Sequence, residues 1–129
     1  MSADDALVDL ARRLFTDARM TAQPGWRRMF LIGRAEPGHV SLEGFTFDAE
    51  NAGRPTSPSS ESGVADALVA LQEAMQAENP TGRAWISCLV RISSEGSIAL
   101  DVEYDDASRW APKGRQYREH MASFADMPV

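Results

Sequence analysis

Four carboxylates crowd the end of one predicted strand: Asp101, Glu103, Asp105 and Asp106. At i and i+2 of an extended chain, Asp101 and Glu103 project from the same face about 7 Å apart. That spacing suits an acid/base pair or a divalent-metal site. Either chemistry also needs a pocket and a third group with a displaced pKa, and no histidine or cysteine stands nearby in sequence. The same acids also fit a solvated strand face, or an acidic patch that receives a protein.

The remaining reactive residues offer little. His39 falls in a turn and His120 in the tail, with no HxxxH or CxxC spacing beside them, so both are expected to face solvent. Cys88 alternates in phase with Ile86 and Val90, which makes it a small buried hydrophobe whose thiol burial deactivates. Gly25 and Gly33 are isolated, and no phosphate-binding GxGxxG or GxxxxGK[ST] occurs. The serines from Ser57 to Ser62 lack a GxSxG context. No catalytic residue, cofactor or metal ligand is assigned. Trp85 is different, because it falls out of phase with Ile86. It should lie beside Asp101 and Glu103 unless a bulge intervenes, and an aromatic beside acids is the composition of a binding hot spot. The competing expectation is a second packing layer over that face.

The elements that would position these residues are legible from periodicity. Ala6, Leu7, Leu10, Ala11, Leu14 and Phe15 follow the spacing of a helix with one buried face, capped by Ser2. Met29 to Ile32 is a short strand, Pro37-Gly38 a turn, and Val40 to Phe47 the second strand of a hairpin. Its apolar parity switches at Gly44, which suggests a bulge. Residues 51–62 (NAGRPTSPSSES) contain no large apolar side chain and read as a flexible loop. Ser60 or Ser62 should cap a second helix carrying Val64, Leu68, Leu71 and Met75, ended by Asn79-Pro80. The clearest signal is the hairpin from Trp85 to Tyr104. Its Ile86, Cys88, Val90 and Ile92 alternate, Ser94-Glu95-Gly96 turns the chain, and Ile98, Leu100, Val102 and Tyr104 alternate again. Arg115 to Phe124 forms a last helix with Tyr117, Met121 and Phe124 on one side. The expected fold is a single α+β domain over 1–129. An antiparallel sheet of about four strands is packed by two or three helices, in the order α-β-β-α-β-β-(α).

Charge narrows the choice of partner. Between Glu43 and Asp106 twelve acids face three arginines, so this stretch alone carries −9 against −6 for the whole chain. Such a middle disfavours nucleic acid, which needs a cationic face, and suits a basic protein. The basic pairs Arg12-Arg13 and Arg27-Arg28 are too sparse to reverse this. The lone cysteine cannot form an intrachain disulfide. The start MSADDALVDL has acids where a signal peptide needs bases, and no run approaches the roughly 20 apolar residues of a membrane span. A cytoplasmic location is expected.

The segments GFTFDAEN, VADALVALQEAM and RAWISCLVRISSEGSIALDVEYDDASRW, between Gly44 and Trp110, resemble the YezG-like immunity (antitoxin) family. The resemblance lies in a tryptophan-led strand (Trp85), a Glu95-Gly96 turn and the closing Glu103-Tyr104-Asp105-Asp106, and it covers roughly half the chain. It implies a small cytoplasmic, non-enzymatic protein that binds and neutralises a cognate toxin domain, often a nuclease. On that expectation the partner-binding residues are Trp85, Asp101, Glu103, Asp105, Asp106 and Trp110, with the 51–62 loop as an adjustable rim. The alternatives are a small metal-dependent enzyme built on the acids, and a regulatory or structural module acting through another protein or through homodimerisation at an exposed strand edge.

Overall fold

The computed structural model describes residues 1–111 and 116–129. Helix α1 (Ala3–Phe15) starts where the Ser2 hydroxyl accepts the Asp5 N–H at 3.1 Å, with Asp4 and Asp5 in the first turn and Arg12 and Arg13 in the last, each complementing the helix dipole. It buries Ala6, Leu10, Ala11 and Leu14 of the predicted stripe, while Leu7 is half-buried and Phe15, at the helix end, is exposed. Five strands follow: β1 (Trp26–Glu36), β2 (His39–Asp48), β3 (Gly53–Thr56), β4 (Ser87–Ser93) and β5 (Ile98–Glu103). Helix α2 (Val64–Glu78) lies between β3 and β4, and a short α3 (Tyr117–Ala122) ends the fold. Arg115, where the last helix was expected to open, lies outside the described residues.

All strand pairs are antiparallel, in the spatial order β3-β2-β1-β4-β5. The two predicted hairpins thus join along β1 and β4, and the fold is α+β as expected. β1 is central and reads as the continuous run Met29 to Ile32 because apolar layers cover both of its faces. Met29, Leu31 and Ala35 point to the α1/α2 side, and Phe30 to the other. On the helix side lies the main core, which includes Leu68, Leu71, Cys88, Val90 and Ile92. Gly33 has a packing role here: a Cβ on it would stand 2.8 Å from both methyl groups of Leu68, so glycine lets α2 settle onto the sheet.

A second layer covers the opposite face. Phe30, Phe45, Phe47 and Leu89 are sealed by Trp110, α3 and Phe124. The Arg28 guanidinium stacks 5.1 Å over the Phe47 ring and donates to the carbonyls of Ala125 and Met127, while Arg91 donates to that of Pro128. The C-terminal residues are thereby clamped across the sheet.

Three expectations change. The register of β1 on β2 runs unbroken past Gly44, and the irregularity falls between Trp26 and Arg28 instead. The parity switch in β2 reflects a strand buried on both faces: Val40 and Leu42 serve the helix side, Phe45 and Phe47 the other. Residues 51–62, expected as a flexible loop, contain β3 and a 3-10 turn (Ser60–Ser62). They are anchored by Asp17, whose carboxylate accepts the Ser59 N–H and hydroxyl at 2.9 and 2.7 Å. Finally, neither Ser60 nor Ser62 caps α2. Gly63 holds that position with φ 73°, and the Ser62 hydroxyl donates to the Ser59 carbonyl.

Candidate functional site

The acidic segment is positioned by β5. Leu89 of β4 pairs with Asp101 and Ser87 with Glu103, so both carboxylates lie on the face away from α1 and α2, as expected. The structure supplies each acid with partners. Asp101 pairs with Arg91 at 2.9 Å, and Asp105 with Arg83 at 2.7 Å. Glu103 accepts the N–H groups of Asp105 and Asp106 at 3.0 and 3.1 Å and lies 3.5 Å from Arg109. Those two backbone N–H groups are the main reason its carboxyl is held below the usual range, with Arg109 adding to them. The Asp106 carboxylate accepts the N–H and hydroxyl of Ser108, which shapes the turn after Asp105.

This arrangement changes what the acids can do. Glu103 is the organising acceptor of the turn, and Asp101 is shared with a mostly buried arginine. Among the described residues no group of three or more His, Cys, Asp and Glu is placed to hold a metal ion. Asp105 is the most exposed of the paired acids and stands at the rim, available to an approaching cation.

The tryptophans do not join the acids as expected. Trp85 is 0% exposed and sits in the helix-side core, its indole N–H 3.2 Å from the Met75 sulfur. The cause is local. Ser87 already pairs with Glu103, yet the Ile86 N–H also donates to the Glu103 carbonyl at 2.9 Å, so two residues oppose one. That extra residue turns Trp85 to the other side of the sheet. The Gln72 side-chain amide then fixes the segment by donating to the carbonyls of Ala35 and Trp85. Trp85 is therefore withdrawn from the partner-binding set. Trp110 does reach the acidic side, but at 8% exposed it closes the second apolar layer, with Arg109 stacked 4.8 Å above it. It belongs to that layer and does not project as an anchor.

His120 also departs from expectation. It is 2% exposed, edge-on to the rings of Phe45 and Phe124, with Nε2 3.6 Å from the Glu43 carboxylate. Tyr117 lies on the same side of α3, and its phenol is pushed up to about 12 by burial and by the Glu43 charge. The missed signal is positional: His120 falls three residues after Tyr117 and four before Phe124, on the stripe already assigned to the core. His39 is exposed, as predicted, and Cys88 is buried, its thiol raised to about 12 by desolvation.

Sequence reasoning also missed an apolar groove on the helix side, beside the β4–β5 turn. Val8, Ala11, Arg12, Phe15, Ile92, Gly96 and Ile98 line about 180 Å³ there. The groove is too small for most cofactors, whose pockets run to roughly 300–1,000 Å³.

No protein-family model matches the chain, and no curated protein sequence matches it significantly. No helix among the described residues is long and apolar enough to cross a membrane.

Proposed function

We propose that this chain is an immunity protein, acting in the cytoplasm without catalysis of its own to bind and neutralise a cognate toxin domain, basic and of nuclease type. The observation that carries the reading is the placement of Asp101, Glu103 and Asp105 at one end of the outermost strand, on a rigid turn whose geometry Glu103 sets. The Glu103 carboxylate, held in place by two backbone N–H groups, loses little entropy when a cation arrives, and the three acids together complement a surface built to hold phosphates. Their arginine partners at Asp105 and Glu103 are exposed pairs, each of the weak kind that a competing cation displaces at little cost. The resemblance of the segment from Trp85 to Asp106 to the YezG-like family supports the same assignment.

The test is co-expression with the reading frame adjacent to this gene. On the proposal, that frame arrests growth when expressed alone and is harmless beside this protein, and the two proteins co-purify. Asp105→Asn combined with Asp101→Asn should slow association and flatten its dependence on salt. Growth arrest that is equal with and without this protein refutes the reading.

A further inference from the structure

The two edges of the sheet are built differently. β3 is four residues long, contains Pro55, which has no N–H to offer, and carries α3 against it, with Met121 close to Gly53. Those are the devices by which natural proteins block strand addition. β5 has none of them. Its six residues, Ile98 to Glu103, contain neither proline nor lysine, and among the described residues β4 is its only neighbour in the sheet. The Ser93 N–H donates to the Ser97 carbonyl at 2.9 Å, which fixes the alternation of the ladder. By that alternation Ala99, Asp101 and Glu103 bond to β4, while the N–H and C=O groups of Ile98, Leu100 and Val102 point outward.

Beside this edge lies the apolar groove. Five large hydrophobic residues are exposed among those described, and three of them, Val8 at 47%, Phe15 at 40% and Ile98 at 38%, line it together. The groove is on the helix side of β5, whereas Asp101 and Glu103 are on the other. An added strand alternates its side chains between these two sides. One set would meet Ile98, Leu100, Val102 and the groove, and the other would meet carboxylates. Arg12, the charged residue lining the groove, is on the side away from those acids.

We propose that the free edge of β5 docks an extended segment of a basic partner protein by strand addition, with aliphatic side chains entering the Val8–Phe15–Ile98 groove and Lys or Arg side chains alternating over Asp101 and Glu103. This rests on the reading of the chain as a binder of a basic protein and names the surface and the recognition pattern. Outward main-chain groups supply affinity, and the two-sided pattern supplies selectivity. An acidic strand meets Asp101 and Glu103 as like charges across the pair, which is unfavourable.

The test uses the full ¹⁵N-labelled chain and two capped ten-residue peptides, one alternating Lys and Val, the other Glu and Val. With the Lys–Val peptide, the amides of Ile98, Leu100 and Val102 should exchange with deuterium at least about tenfold more slowly. The Glu–Val peptide should leave them unchanged. Ile98→Pro removes an outward donor without breaking a bond to β4 and should abolish the protection. Val8→Lys, at an exposed helix position that spares the strand, should weaken it at least about tenfold through loss of the groove. The proposal is overturned by absent protection, by equal protection from the Glu–Val peptide, or by protection without peptide that grows with protein concentration, which would identify a second copy as the occupant. Toxin neutralisation that survives both Ile98→Pro and Val8→Lys would sink the edge and leave the immunity reading standing. Lys–Val protection of a chain that neutralises no adjacent toxin would do the reverse.

Discussion

Replacing Asp17 with alanine should cost about 3–4 kcal/mol of folding stability. The carboxylate is in a buried residue, 3% exposed, at the junction between α1 and β1. One oxygen accepts the N–H groups of Arg19 and Met20 at 2.9 and 3.0 Å, and the other accepts the Ser59 N–H and hydroxyl at 2.9 and 2.7 Å. Of these donors, Arg19 is exposed and the Ser59 hydroxyl can rotate towards water. The N–H group of Met20, 0% exposed, has no such escape, and that of half-buried Ser59 has little. A buried donor left unpaired costs about 1–3 kcal/mol; at about 1.5–2 kcal/mol each, the middle of that range, two of them cost about 3–4 kcal/mol. Asp17→Asn keeps one acceptor oxygen, so it should cost about half as much.

Titration gives the second arm of this experiment. Burial pushes the Asp17 carboxyl up, but the bonds from Met20 and Ser59 outweigh it and hold the group below its ordinary value of 3.8. A folded-state pKa below the unfolded one means that the contribution is complete above about 3.8 and disappears as pH falls through the lower, folded value. Urea unfolding followed by tryptophan fluorescence should therefore show a constant gap between wild type and Asp17→Asn from pH 7 to pH 5, closing below 3.8. In the alanine variant the Met20 and Ser59 amides should lose exchange protection ahead of the sheet. A loss under about 0.5 kcal/mol, within the range of ordinary surface substitutions, would refute the claim that this carboxylate anchors the 57–62 segment. So would a gap that stays flat through the acid range.

Three further outcomes follow from the packing. Gly33→Ala should destabilise the fold by about 1–3 kcal/mol, because the new Cβ meets Leu68 at 2.8 Å and α2 must shift; a neutral effect in urea unfolding would mean that Leu68 re-orients freely. The Cys88 thiol, raised to about 12 by desolvation, should react with a disulfide reagent only as fast as the chain opens, so labelling of native protein at the rate of a free thiol would contradict its placement. Tyr117 should ionise near 12 in an ultraviolet titration, and Glu43→Gln should bring it part of the way down, burial being the larger cause; an unmoved transition would separate Glu43 from Tyr117.

What could be read in the chain divides by whether one residue or two distant segments decide the outcome. The β4–β5 strands were legible because their alternation is local, with Cys88, Val90 and Ile92 on one side and Asp101 and Glu103 on the other. β3 was not, since Gly53 to Thr56 has no strand pattern of its own and exists by pairing with Gly44 to Phe47. Trp85 was misplaced because a single extra residue at Ile86 reverses every side chain before it. The acids were placed correctly on their face, but which arginine meets which acid depends on side-chain geometry across the hairpin and the turn after it, so Arg83, Arg91 and Arg109 turned them into paired carboxylates. Two elements of the proposed surface were visible in part. The lack of proline and lysine in β5 is a fact of sequence; that β5 is an edge is a fact of sheet order alone. Val8 and Phe15 likewise read as members of a helix, and only the packing of α1 beside the β4–β5 turn brings them to Ile98.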